Sequence, residues 1–266
     1  MESILTQTTS PACLVGAVAV LAFAATNPKS LPFTYTIQLL PSIYRLLKPR
    51  LSKRSSRPET GLSIPDTQSP VTAKRRLFTH HTTHSRATIS DLGIALRKSN
   101  STFFIDADIS RAELLTTLFS EALAGLGPAN FLLESVQCKF LADIRPYAAY
   151  VVSSRVLAWN ERSFYVVTYF LKPGADIPWD VEVLGGPQAV VDDGRYKDGV
   201  FSVMLSKHVF MAKKLLSPRE VLHRAGLLLL QGEGEKREGC DGDAMAAEAV
   251  EQAVQWGLEY VSGCMG

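Results

Sequence analysis

The sequence predicts an α+β domain, in which one early helix is followed by a series of antiparallel strands. The helix is indicated by residues 104–122, where apolar side chains recur at three- and four-residue spacing and form one stripe. Two later runs, 148–160 and 163–171, are rich in β-branched and aromatic residues. The connection between them is short enough for a hairpin. An early helix with several strands after it suits a sheet wrapped around that helix.

The remaining elements follow from turn signals and composition. Strands are predicted over 78–89, 131–141, 148–160, 163–171 and 200–212, and a short helix over 217–225 that Gly226 ends. Residues 175–199 are rich in Gly, Pro and Asp, which indicates a long insertion between two strands. Spacing over 244–261 predicts a C-terminal helix after a Gly/Glu-rich segment.

The composition is that of an ordinary globular protein. The chain has 266 residues, of which 46% are hydrophobic and 20% charged, with a formal net charge of +2. A charge so close to zero argues against a general nucleic-acid binder. None of the 4 cysteines lies in a Cys-x-x-Cys pair, so we expect neither a disulfide framework nor a zinc site, and a reducing compartment fits best.

The N-terminus predicts attachment to a membrane. Residues 12–25 form an apolar, uncharged run. A helix that spans a bilayer needs about 20 such residues, so this shorter run is either a short transmembrane helix or an anchor. Residues 31–47 predict an interfacial amphipathic helix, and a basic cluster follows it. The positive-inside tendency then places the main domain in the cytosol. A cleaved signal peptide and a buried helix are the alternatives.

These patterns divide the chain into four parts. Residues 1–50 form the membrane anchor and amphipathic helix, and residues 51–76 are a flexible linker rich in Ser, Pro and Thr. Residues 77–230 form the folded domain. Residues 231–266 hold the flexible segment and the C-terminal helix.

The stretch 91–119 carries the candidate chemistry. Asn100, Ser101 and Thr102 are candidate N-caps of the predicted helix, because their side-chain oxygens can accept backbone N–H groups of the first turn. Asp106 and Asp108 place negative charge near the positive end of that helix. If residues 91 and 93 are extended, they share one face of the chain.

The same stretch resembles the signature of the hot-dog thioesterase superfamily, in the 4-hydroxybenzoyl-CoA thioesterase-like branch, and most of all a fungal group with an N-terminal membrane segment. The signature is roughly Asp-x-Asp-x-x-Gly-His-x-Asn-Asn-x-x-Tyr, followed by a helix with two acids and an arginine. The resemblance spans about residues 78–226. The matching positions are Asp91, Asn100, Phe103, Asp106, Asp108 and Arg111. The chain departs from the signature at Gly93, Leu96, Arg97 and Ser99.

The resemblance implies a hot-dog fold and hydrolysis of an acyl-CoA or acyl-carrier-protein thioester by a homodimer, without a cofactor. The N-terminus of the central helix would polarise the carbonyl, and a carboxylate would activate water. The implied catalytic residues are Asp91, Asn100 and Asp106, and the implied substrate-binding residues are Arg97, Ser101, Thr102 and Phe103. Basic side chains at 97, 98 and 155 are candidates to meet the phosphates of CoA.

Other interpretations stay open. Asp106 and Asp108 can serve the helix dipole alone, and Asp108 with Arg111 can form a surface i,i+3 pair. Because Gly93 replaces an acid of the signature, a non-catalytic acyl- or CoA-binding or assembly module is the alternative function. A hot-dog dehydratase is a third possibility, but such enzymes generally use a His with an acid. The histidines at 80, 81 and 84 have no carboxylate at ligand spacing, so we predict no metal site.

Overall fold

A computed structural model describes residues 11–53, 76–175, 198–228 and 241–265 of the chain. Its helices are α1 (Pro11–Thr26), α2 (Thr34–Lys53), α3 (Asn100–Gly125), α4 (Pro218–Arg224) and α5 (Asp241–Met265). Its strands are β1 (His81–Arg86), β2 (Asn130–Phe140), β3 (Ala149–Trp159), β4 (Phe164–Leu171), β5 (Val200–Met211) and β6 (Leu215–Leu216). Two 3-10 turns, Pro28–Ser30 and Ile89–Asp91, lie before α2 and after β1.

One antiparallel sheet organises the domain. Its strand order is β1-β3-β4-β5-β2, and β6 pairs with β5. The helix α3 precedes most of the strands in the chain and packs on this sheet, which confirms the predicted α+β class with an antiparallel sheet around an early helix. The predicted strands agree closely with β2, β3, β4 and β5. The strand predicted over 78–89 is shorter at both ends, and Ile89, its predicted last residue, begins the 3-10 turn Ile89–Asp91.

The core lies between α3 and the sheet. Phe119 of α3 packs edge-on against Phe164 of β4 and Phe210 of β5, with ring centroids 5.3 and 5.2 Å away. Leu114 and Leu115 are buried beside it. The predicted stripe is wrong at Phe104, which is 37% exposed, while its neighbour Phe103 is buried. The buried face of α3 therefore includes Phe103 in place of Phe104.

The C-terminal helix α5 packs closely on β3. At Gly257 an added Cβ would lie 2.7 Å from the Cβ of Ala158 and 2.9 Å from the carbonyl oxygen of Leu157. Such distances are below ordinary van der Waals contact, so only glycine permits this approach. Val254 and Val261 of the same helix are buried, which joins α5 to the core.

Of the two N-terminal helices, α2 lies against the domain. The predicted amphipathic helix is α2, which packs on α3 and extends further toward the C-terminus than predicted, to Lys53. The predicted apolar run is α1, whose large apolar side chains are exposed. None of the described helices is long and apolar enough to cross a membrane. The predicted linker, the predicted insertion and the predicted flexible segment lie almost entirely outside the described residues, and the division of the chain at residue 50 stays a prediction.

Candidate active site

A short loop between β1 and α3 places the first acid. The backbone N–H and the hydroxyl of Thr88 both donate to Asp91 Oδ2, at 2.9 and 3.2 Å. The carbonyl of Asp91 accepts from the backbone N–H of Ser99 at 2.7 Å and from the Thr102 hydroxyl at 3.2 Å. Asp91 therefore ends a 3-10 turn, and the expectation of an extended segment with residues 91 and 93 on one face is wrong.

The second acid lies in the second turn of α3. Asp106 is 6% exposed, and its Oδ1 accepts from Lys29 Nζ at 2.7 Å. Its Oδ2 accepts from Lys98 Nζ at 2.6 Å and from the Tyr150 hydroxyl. Both oxygens of Asp106 are thus engaged by donors from three separate parts of the chain.

The two acids share the same ammonium groups. Lys29 Nζ lies 3.4 Å from Asp91 Oδ2, and Lys98 Nζ lies 3.9 Å from Asp91 Oδ1. These two carboxylates, two ammonium groups and the Tyr150 phenol form a compact buried group, which we call the acid–lysine cluster. Its formal charges cancel, which is the condition for burying so many ionised groups.

The pKa values follow from this arrangement. Burial alone would raise the pKa of Asp106, but the ammonium groups of Lys98 and Lys29 outweigh it and lower the pKa below its ordinary value. Burial lowers the pKa of Lys98, although the charge of Asp106 partly offsets it. Burial and the negative charge of Asp106 raise the pKa of Tyr150, so its phenol stays protonated and donates. At neutral pH Asp106 is therefore a carboxylate.

The N-terminus of α3 begins beside this cluster. The N-cap is Ser99, which has an extended backbone and makes no capping bond through its side chain among the described residues. The predicted caps Asn100, Ser101 and Thr102 therefore lie inside the first turn, and the cap prediction is wrong: the N-cap lies one residue before the nearest candidate, Asn100. Asn100 and Ser101 are exposed, so this turn presents free backbone N–H groups toward solvent.

Two predicted substrate-binding residues have other surroundings. Phe103 is buried, with its ring centroid 4.7 Å from that of Phe170, and Lys98 Nζ lies 5.3 Å from the centre of its ring. The Phe103 ring thus lies next to the ammonium group of Lys98 in the acid–lysine cluster. Arg97 is exposed and pairs with Asp143 on the surface. Of the basic residues considered for CoA phosphates, Lys98 and Arg155 are buried, so only Arg97 is exposed enough to meet them.

The predicted pair of Asp108 and Arg111 forms, but only its Asp108 side chain is at the surface. Arg111 Nη2 lies 3.4 Å from Asp108 Oδ1. Arg111 is itself buried and donates to the Ser206 hydroxyl of β5 at 2.6 Å. The arginine of the signature therefore ties α3 to the sheet.

Two histidines at the start of β1 contact neighbouring side chains, His81 in the strand and His80 just before it. His81 Nε2 lies 2.7 Å from Glu113 Oε2 on α3, and His80 Nδ1 lies 2.8 Å from the Ser153 hydroxyl on β3. Within the described ranges, no group of three or more His, Cys, Asp or Glu side chains is arranged to hold a metal ion.

Two members of the cluster were missed by sequence reasoning, and a third was given another role. Lys29 lies in the segment predicted to attach to a membrane and Tyr150 in a strand, and no local pattern distinguishes them, because both lie far from Asp106 in the sequence. Lys98 was predicted to meet the phosphates of CoA, but its ammonium group pairs with Asp106. A buried acid predicted beside a helix N-terminus implies nearby cations, but it does not say which ones.

Comparison with known proteins gives consistent relatives in fungi. No family model matches the chain. The chain is 31% identical over 264 residues to the probable thioesterase atnL of Emericella nidulans, and the matched region covers 89% of this chain and 80% of that protein. It is 32% identical over 202 residues to the thioesterase poxG of Penicillium oxalicum, which covers 70% of this chain and 66% of the relative's own length.

Solved structures of similar shape come from bacteria. The probable thioesterase YbaW from Escherichia coli is 11% identical with a TM-score of 0.43, covering 56% of this chain and 99% of that one. Slr0204 of Synechocystis, a 1,4-dihydroxy-2-naphthoyl-CoA thioesterase, is also 11% identical, with a TM-score of 0.40, and covers 57% of this chain and 98% of that one.

Proposed function

Because this chain belongs to the thioesterase-like hot-dog superfamily of its fungal relatives, we propose that it hydrolyses acyl thioesters, either acyl-CoA or acyl-carrier-protein thioesters. The observation that carries the proposal is the acid–lysine cluster, which holds Asp106 and Asp91 beside the exposed first turn of α3. Thioester hydrolysis needs a polarised carbonyl and an activated water. The cluster and the helix N-terminus offer both.

The first turn of α3 supplies the polarising groups. Free backbone N–H groups at Asn100 and Ser101, together with the positive end of the helix dipole, favour the negative charge that develops on the carbonyl oxygen. The thioester is thus best bound with its carbonyl oxygen at this turn and its acyl or CoA part running over the exposed surface near Arg97.

The two acids are suited to different roles. Both oxygens of Asp106 already accept hydrogen bonds, and its lowered pKa makes it a weak base. Among the described residues Asp91 Oδ1 has no hydrogen bond, and the ammonium group of Lys98 lies 3.9 Å from it. We therefore assign the base to Asp91, with Asp106 holding the lysines that stabilise it.

The proposed hydrolysis proceeds in two steps. Water loses a proton to Asp91 Oδ1 as its oxygen attacks the thioester carbonyl carbon, giving a tetrahedral oxyanion at the first turn of α3. The carbon–sulfur bond then breaks, and the proton that Asp91 accepted is transferred to the departing sulfur. The products are a free thiol and a carboxylic acid.

The test is a panel of acyl-CoA substrates of increasing chain length, with free thiol measured for the full-length protein in detergent. Asp91→Asn should lower kcat by about 10²- to 10⁴-fold, the usual contribution of a general base. Glu161→Gln, at an exposed hairpin position, is the matched control and should leave turnover unchanged. Absence of hydrolysis at every chain length, or turnover indifferent to both Asp91→Asn and Asp106→Asn, would refute the proposal.

A non-catalytic acyl-binding module is the second candidate, and Gly93 favours it, since the signature has an acid there. An added Cβ at Gly93 would meet nothing closer than 3.6 Å, so Gly93→Asp can be built without a clash. A binding module would show a higher Tm with added acyl-CoA and no thiol release, and Gly93→Asp would create none.

We propose a homodimer formed through the edge strand β2. Among the described strands, β2 pairs only with β5, and it exposes Leu132, Leu133 and Phe140. An exposed apolar edge is a template for pairing with a second copy. Light scattering should give twice the chain mass for the full-length protein, and Leu133→Lys should give a monomer. A monomeric wild-type protein would refute this assignment.

We also propose that the N-terminal helices attach the protein to a membrane surface, with the main domain facing the cytosol. The exposed apolar side chains of α1 and α2, such as Val18, Leu21 and Ile37, and the basic Arg45 and Lys48 support this proposal. Flotation with anionic vesicles should carry the full-length protein upward, and Val18→Glu with Leu21→Glu should leave it at the bottom. A wild-type protein that does not float would refute the attachment.

A further inference from the structure

Lys29 reaches the candidate active site from outside the folded domain that the sequence predicts. It lies in the 3-10 turn between α1 and α2, and its side chain is 14% exposed. Its ammonium group donates to Asp106 Oδ1 at 2.7 Å and to the Tyr150 oxygen at 2.8 Å, and lies 3.4 Å from Asp91 Oδ2. One side chain from the N-terminal segment therefore contacts both acids and the phenol.

The turn that carries Lys29 is fixed to the loop that carries Asp91. Asn27 is buried, and its Oδ1 accepts from the backbone N–H of Ile89 at 3.0 Å and from the Tyr147 hydroxyl at 3.3 Å. Ile89 begins the 3-10 turn that ends at Asp91. The position of Lys29 is thus set by a second contact between the same two turns, independent of its own ion pairs.

We infer that Lys29 is a positioning residue of the active site, and that the N-terminal segment completes the site by supplying it. This inference rests on the proposed hydrolase function. Lys29 holds the side chains of Asp91 and Asp106 next to each other, because its ammonium group contacts both. Without it, Lys98 would have to compensate both acids, although its ammonium group lies 2.6 Å from Asp106 and 3.9 Å from Asp91.

Electrostatics gives the direction of the effect. The groups that face Asp106 are Lys29 before α2, Asp91 after β1, Lys98 before α3 and Tyr150 on β3. Two carboxylates that share a site and lose one cation repel each other, so the pair keeps a proton to higher pH. Removing the charge of Lys29 should therefore move the acidic limb of the activity profile to higher pH.

The experiment measures kcat/KM for decanoyl-CoA from pH 4 to 9 with the full-length protein. Lys29→Gln should raise the midpoint of the acidic limb by about one pH unit and lower kcat. Lys29→Arg keeps the charge and should restore the midpoint. Lys213→Gln, at an exposed turn after β5, is the control and should match wild type. Asn27→Ala loosens the turn and should shift the midpoint in the same direction if Lys29→Gln does not fold.

A second measurement separates this inference from the hydrolase proposal. The lowered pKa of Asp106 contributes stability above its ordinary pKa of 3.8, and this contribution is lost as the pH falls through the lower folded pKa. The difference in unfolding free energy between wild type and Lys29→Gln should be largest at neutral pH and shrink below about pH 4. This result without any turnover would refute the hydrolase alone. Variants that match wild type in both pH profiles would overturn the role of Lys29.

Discussion

Asp106→Asn should cost far more stability than any surface acid, because it leaves two ammonium groups facing one carboxylate. Lys98 is 0% exposed and Lys29 is 14% exposed, so neither can regain full hydration in place of its lost partner. Breaking a buried pair in this way costs on the order of 3–5 kcal/mol. The amide oxygen of Asn can still accept one hydrogen bond, which returns about 1 kcal/mol. We therefore expect a loss of about 3 kcal/mol in the free energy of unfolding.

The assay is equilibrium unfolding in urea at pH 7, followed by tryptophan fluorescence, since Trp159 lies in the core of the described domain. The midpoint should fall while the slope stays constant, because the same surface is exposed on unfolding. The double variant Lys98→Met with Asp106→Asn should recover part of the loss, because it also removes the uncompensated buried charge.

Asp143→Asn is the matched comparison. The Asp143 side chain is 60% exposed and its partner Arg97 is 52% exposed, so this surface pair should contribute less than about 1 kcal/mol. If Asp106→Asn costs no more than Asp143→Asn, then the acid–lysine cluster is hydrated in solution and the assignment of buried, mutually compensated charges is incorrect.

Three further predictions concern the rest of the fold. Gly257→Ala places a Cβ 2.7 Å from a β3 side chain, and urea unfolding should show a loss of about 1–3 kcal/mol in the free energy of unfolding. Gly263→Ala is the control and should cause no such loss, because no other atom lies within 4 Å of the added Cβ. Phe119→Ala should cost about 3–5 kcal/mol in the same assay, against a much smaller loss for the part-exposed Phe104→Ala. Burial lowers the pKa of His208 to about 3, so the unfolded state takes up a proton at a higher pH than the folded state. The free energy of unfolding should therefore fall by up to about 1.4 kcal/mol per pH unit from pH 6.5 downward. His208→Leu should remove this slope, and a slope that persists in the variant would contradict the burial of His208.

Much of the fold was predictable because its signals are local. The strands β3 and β4 are rich in β-branched and aromatic residues, and the spacing over α3 marks one apolar face. The errors fell where tertiary contacts override local preference. The first strand ends early because Thr88 and Asp91 bond to each other in a 3-10 turn, and α3 starts at Asn100, directly after Ser99 with its extended backbone.

The candidate site was predictable only in part, because half of it is not local. The resemblance identified Asp91 and Asp106, and the structure brings both to the same lysines. Lys29 is separated from Asp106 by 77 positions, and Tyr150 by 44. An ion pair between two residues so far apart leaves no periodic pattern in the sequence. The pairing of Lys29 with Asp106 is therefore visible only in the folded structure.

The most direct test of the central claim is a single turnover of decanoyl-CoA by excess full-length protein in ¹⁸O-labelled water. We predict that free CoA and decanoic acid form in equal amounts, that the acid carries ¹⁸O from the first turnover, and that Asp91→Asn slows both products together. Release of unlabelled acid with ¹⁸O in the Asp91 or Asp106 carboxylate would show a covalent acyl-enzyme instead of an activated water. Failure to release any CoA would contradict the assignment of this site as a thioester hydrolase.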